Sequence, residues 1–137
     1  MIEKEELLKS FVLNFVQKDK RERCYSQLMN VKKRQKFTDE LNHSWDTIFN
    51  MKLLTELEKN QDDYDKLRLL LKLKDDELCY LISDVGEYDD KFLPFKEAFK
   101  QIDAASFGTI LINKAADKLF LVTESMQGGA PKFISKR

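Results

Sequence analysis

The chain has 137 residues, 42% of them hydrophobic, and its 24 basic residues are balanced by 24 acidic ones. That length suits a single domain able to bury roughly two-thirds of its unfolded surface, and the hydrophobic content, ten Phe included, excludes global disorder. Zero net charge excludes a polyanion binder that works through its whole surface, so any electrostatic partner is recognised locally.

Cys24 and Cys79 are the only cysteines, and each sits among apolar residues. They read as reduced core residues of a cytoplasmic protein rather than as a secreted disulfide framework. Residues 1–9 alternate acids and bases without the apolar centre of a secretion signal, and the apolar runs fall short of the ~20 residues of a membrane span.

Residues 1–85 contain no glycine and no proline, whereas all four glycines and both prolines come later. An unbroken stretch rich in Leu, Lys, Glu and Asp suits helices, and the punctuated remainder suits short strands and turns. The first helix is predicted over 2–17, where Leu7, Phe11 and Phe15 repeat every fourth residue beside Leu8, Val12 and Val16. Glu3, Glu5 and Glu6 load its first turn as the helix dipole favours.

A second helix begins near Asp19, with Cys24, Leu28 and Val31 on one face, and ends by His43. The polar run 32–36 marks a candidate break, and Asn42, His43 and Ser44 supply turn and cap chemistry. The pattern then weakens, and a helix is predicted only over 52–59, followed by a turn and a short Leu-rich helix over 64–73.

Beyond the acidic turn at Asp75 and Asp76, the apolar run 78–83 reads as a buried strand. Pro94 opens a helix bearing Phe95, Ala98, Phe99 and Ile102, and a hairpin follows over 109–113 and 118–123, with consecutive apolar residues that require cover on both faces. The predicted fold is α+β: a helical half, 1–74, packed on a β-α-β-β unit of three strands, 75–126. A loose tail, 127–137, has a fourth, edge strand available at 132–135.

No stretch matches a motif that dictates one chemistry, so no catalytic residue is assigned and no cofactor is expected. His43 is the only histidine, and the adjacent Ser44 does not by itself create a nucleophile–base pair. Ser83, Ser106 and Ser125 lie near strand ends without an identifiable base, and Gly128-Gly129 permits a close backbone approach or a frayed end.

Charge is segregated. Residues 18–36 hold Lys18, Lys20, Arg21, Arg23, Lys32, Lys33, Arg34 and Lys36 against Asp19 and Glu22, and 39–65 hold eight acids against Lys52 and Lys59. The basic block either faces the acidic one and water or forms a contact surface. As a surface it would comprise Lys20, Arg21, Arg23, Tyr25, Lys32, Lys33, Arg34, Lys36 and Trp45, with Phe37 a further aromatic, because arginine and aromatics concentrate interface energy.

The leading expectation is a small protein-interaction or regulatory module without catalytic activity. Its partner would be another protein, no membrane contact is expected, and the hairpin edge offers a route to a homo-oligomer. The first alternative is nucleic-acid binding through 18–36, although aromatic interleaving for base stacking is missing. The second is a metal-dependent phosphoesterase using the loop after the buried strand, with Asp84, Glu87, Asp89 and Asp90 as ligands for a divalent cation. A solvated turn explains the same acids without any metal.

Overall fold

The computed structural model describes residues 2–58, 63–84, 86–104, 108–123 and 131–136. Five α-helices and six strands are found there: α1 (Ile2–Phe15), α2 (Arg21–Met29), α3 (Arg34–Ile48), β1 (Leu54–Glu56), α4 (Tyr64–Leu71), β2 (Leu78–Ser83), β3 (Lys91–Pro94), α5 (Phe95–Ala104), β4 (Thr109–Asn113), β5 (Leu119–Val122) and β6 (Lys132–Ser135). The mixed α+β class is as predicted. The strand count is not: one antiparallel sheet runs in the order β1-β6-β5-β4-β2-β3.

Register explains the doubly apolar strands. Tyr80 pairs with Ile112 and Ile82 with Ile110, while Leu81 between them pairs with Leu111. Alternate residues point to opposite faces of a strand. Tyr80, Ile82, Ile110, Ile112, Leu119, Leu121 and Phe133 therefore share one core with the buried stripe of α1 and with Cys24, Leu28, Phe37, Leu41 and Ile48 from α2 and α3. Cys79, Leu81, Leu111, Phe120, Val122 and Ile134 share a second core with Leu67 and Leu71 of α4 and Phe95, Ala98 and Ile102 of α5. The N-terminal helices α1 to α3 thus cover one face only, and α4 crosses to the other.

Three local expectations are corrected. The helix predicted over 52–59 is instead a tight turn, Met51–Leu53, held by Lys52 N–H donating to the Asn50 side chain, followed by β1. β1 exists because Leu54, Thr55 and Glu56 meet Ser135, Ile134 and Phe133 of β6, a pairing set far along the chain. The tail strand 132–135 does form, but between β1 and β5 rather than at an edge. The two edges belong to β1 and to β3, which the opening proline of α5 had concealed; an edge tolerates Pro94 because its missing N–H faces outward.

The second predicted helix divides at residues 30–33. Asn30 has extended backbone (φ −107°, ψ 111°), its carbonyl accepts from Lys33 N–H (2.8 Å) and Arg34 N–H (3.1 Å), and its side chain accepts from Lys32 N–H (2.9 Å). This Asx turn reverses the chain without glycine. Because α2 stops at Met29, the spacing that put Val31 in the core does not apply, and Val31 is 79% exposed. At the far end, α3 kinks at Ser44 (φ −144°, ψ 37°) but runs on to Ile48, because the Asn42 side chain reaches out to Gly108 and Asp84 rather than closing a local turn.

Cys24 and Cys79 are free, buried and in different cores, and burial pushes their thiols up to about 11 and about 12. Among the described residues, no helix is long and apolar enough to cross a membrane.

Candidate functional site

The sequence brings one cation of the basic block into the protein. Arg34, the first residue of α3, is only 5% exposed. Its Nε donates to Asp89 Oδ2 at 2.8 Å and its Nη2 to Asp89 Oδ1 at 2.6 Å, a two-pronged pairing that holds the guanidinium plane, while Nη1 donates to the Leu28 carbonyl at 2.9 Å. Asp90 lies 4.0 Å from Nη1, and the guanidinium sits 5.8 Å from the centre of the Tyr80 ring. One side chain thus fixes the end of α2, the start of α3 and the turn between β2 and β3.

Asp90 occupies the left-handed region (φ 59°), and its N–H donates to the Leu81 carbonyl at 2.9 Å. Its carboxylate accepts from Tyr80 Oη at 2.6 Å and from Lys4 Nζ of α1 at 3.0 Å. Burial acts to raise the Asp90 pKa, but the Tyr80 hydroxyl, Lys4 and Arg34 outweigh it and hold the carboxyl below its ordinary value. Burial and the neighbouring Asp90 carboxylate raise Tyr80 well above the usual phenol range against the opposing Arg34 charge, so Tyr80 serves as a hydroxyl donor.

The depressed Asp90 pKa carries a pH prediction. A carboxylate held below its unfolded value stabilises the fold fully above that value, about 4, and loses its contribution as pH falls through the folded value. In urea unfolding, the advantage of the native chain over Asp90→Asn should be largest near neutrality and shrink below about pH 4. Asparagine tolerates the left-handed backbone, which leaves the lost charge as the main change. A gap independent of pH would show that Asp90 acts through packing alone.

Asp84 is held by side-chain amides of α3. Asp84 accepts from Gln35 Nε2 at 3.0 Å and Asn42 Nδ2 at 2.9 Å, and its N–H donates to the Gly108 carbonyl at 3.2 Å. Asp89 Oδ1 also accepts from Ser83 N–H at 2.9 Å. Glu87 is exposed. Among the described residues no three His, Cys, Asp or Glu side chains converge as a metal site. The four acids proposed as ligands therefore do not share a centre: Asp89 and Asp90 face Arg34, Asp84 faces α3 amides, and Glu87 faces outward.

The nine residues proposed as a contact surface divide. Arg34 is withdrawn from it by burial, and Arg23 pairs with Glu40 at 2.5 Å, the one ion pair between the basic and acidic blocks among the described residues. Arg21 Nε donates to the Val16 carbonyl at 3.1 Å, and Lys20 is half-buried. Tyr25 and Trp45 pack on the first core, Trp45 with its ring 4.9 Å from Phe133, and Phe37 is fully buried.

Lys32, Lys33 and Lys36 are exposed, and none has an ion-pair partner among the described residues. With Val31 they lie at the corner between α2 and α3 and in the first turn of α3. The length of α2, about 13 Å, separates this group from Lys18, Lys20 and Arg21 at its start. His43 is exposed on α3, Ser83 is buried against Thr109 (3.0 Å), and Ser106, Ser125, Gly128 and Gly129 lie outside the described residues.

Sequence reasoning missed Lys4, Tyr80, Gln35, Asn42, Gly108 and Val31. Tyr80 carried a signal, since a tyrosine inside a buried strand needs a partner for its hydroxyl; Val31 depends on the local turn at Asn30, and the others on contacts between distant segments. The chain matches no protein-family model, curated protein or solved structure.

Proposed function

We propose that the chain is a small interaction module that works by binding another protein rather than by catalysis, with Val31, Lys32, Lys33 and Lys36 as its contact surface. The observation that carries this reading is the corner itself: an apolar side chain 79% exposed, close in sequence to three exposed lysines that have no ion-pair partner among the described residues, on a turn held from below. Exposed apolar residues on a fixed backbone bind with little ordering cost, and neighbouring charges speed and orient encounter. The buried, separated thiols suit a reducing compartment, which favours a cytoplasmic setting.

Nucleic-acid binding is the weaker reading, because Arg34 and Arg23 are engaged internally and the remaining cations form two groups rather than one track. The test is affinity capture with the native chain and with the Lys32→Glu, Lys33→Glu double variant, followed by identification of the bound proteins. A specific partner should be lost with the double variant, and its recovery in equal amounts would remove this surface from consideration. Retention of a DNA or RNA duplex at low salt, falling steeply as salt rises, would instead favour the nucleic-acid reading.

A further inference from the structure

Resting on that reading, we infer that the partner docks through a short acidic segment that carries an apolar side chain among its carboxylates, the apolar group on Val31 and the carboxylates on Lys32, Lys33 and Lys36. Charge complementarity at the corner selects this occupant. The first turn of α3 carries no acidic residue, yet Lys33, Arg34 and Lys36 sit at or within it, where the helix dipole disfavours positive charge. Asp89 neutralises Arg34 alone. Neither Lys33 nor Lys36 has an ion-pair partner among the described residues: of the acids one turn beyond Lys36, Asp39 accepts from Gln35 and Glu40 pairs with Arg23, and an incoming carboxylate supplies the missing partner. The two lysines are three residues apart and so project from neighbouring positions, within reach of adjacent acids on one segment.

The surroundings of the corner disfavour an extended polyanion. Two-pronged recognition of a phosphoryl group or a carboxylate uses the planar fork of arginine, and both nearby arginines are already committed, Arg23 to Glu40 and Arg34 to Asp89. What remains is a set of point charges on flexible stems, which attracts anions without fixing their orientation. Gln35 leads directly to Asp84, and Glu87 lies exposed in the same acidic loop, so an extended polyanion leaving the corner along that side meets like charge. A short segment ends before it. Three lysines and one valine also fall below the paired signals that stable membrane anchoring needs.

The test uses the full chain and a fluorescent peptide of glutamates around a central leucine, with glutamine-substituted and serine-substituted versions of the peptide as controls. The native chain should bind the glutamate peptide, with amide shifts in a nitrogen-15 spectrum confined to residues 29–36. Lys32→Glu, Lys33→Glu should weaken binding by about tenfold or more, and both Val31→Ser and the serine peptide should weaken it by a smaller factor. An unchanged melting temperature confirms that the variants fold.

Equal binding to native and charge-reversed chains, or shifts spread over lysines across the molecule, would overturn the inference. So would tighter binding of phosphatidylserine vesicles or of a short DNA duplex at the same residues. If no glutamate peptide binds while protein capture still depends on Lys32 and Lys33, the acidic segment is wrong and the interaction reading stands; if capture is also independent of them, both fall.

Discussion

Replacing Arg34 with methionine should destabilise the protein by about 3–5 kcal/mol, the range found when one partner of a buried ion pair is removed. The Arg34 side chain is 6% exposed and that of Asp89 16%, so the carboxylate left behind is poorly solvated. Asp90 would lose a nearby cation as well, and the Leu28 carbonyl its donor. Arg34→Lys should recover only part of the loss, because an ammonium cannot reproduce the two parallel bonds to Asp89. Asp89→Asn in the methionine background should recover more, since it removes the stranded charge. Urea unfolding of the four chains measures this, and an Arg34→Met loss below about 1 kcal/mol would show the pair to be replaceable by packing.

The same substitution bears on function without touching the exposed lysines. Arg34 holds the underside of the corner through the Leu28 carbonyl, and the Asx turn of Asn30 holds its top. Losing the lower support should weaken partner binding even at temperatures where the chain is folded, because the corner must then be ordered on contact.

How much of this was legible in the sequence follows the range of the interactions. The stripe of Leu7, Phe11 and Phe15 repeats within one helix, so its buried face was readable. The apolar runs at 110–112 and 119–122 announced a sheet covered on both faces, because two-sided burial leaves no alternation. β1 was illegible: Leu54 alone of its three residues is buried, and only Phe133 and Ile134, far along the chain, make it a strand.

The site divides the same way. Charge segregation drew attention to residues 18–36, but Arg34 and Lys33 are adjacent in sequence and opposite in environment, one buried on Asp89 and one exposed. Composition cannot separate them. The first residue of a helix points inward or outward according to what packs beneath it, and here that is a turn some 55 positions later.

Gly108→Ala should cost about 2–4 kcal/mol, combining overpacking with hydrogen bonds left unmade. A Cβ at this position would stand 2.4 Å from Asn42 Oδ1 and 3.4 Å from Leu41. Asn42 cannot yield freely: its Oδ1 accepts from Gly108 N–H at 2.8 Å and its Nδ2 donates to Asp84 Oδ2 at 2.9 Å, so displacement breaks the link between α3, β4 and the acidic loop. The requirement is space for a neighbouring side chain rather than an unusual backbone. Gly86 supplies the contrast, since a Cβ there meets nothing within 4 Å, and Gly86→Ala should change stability by no more than about 0.5–1 kcal/mol, in the stabilising direction. Adding Asn42→Ala to Gly108→Ala should relieve the clash yet leave Asp84 without one donor, giving a double variant less destabilised than the sum of the two singles. Strict additivity across that cycle would mean that Asn42 and Gly108 do not act on each other, and that the polar hold on α3 comes from Arg34 and from the Gln35 and Asn42 bonds to Asp84.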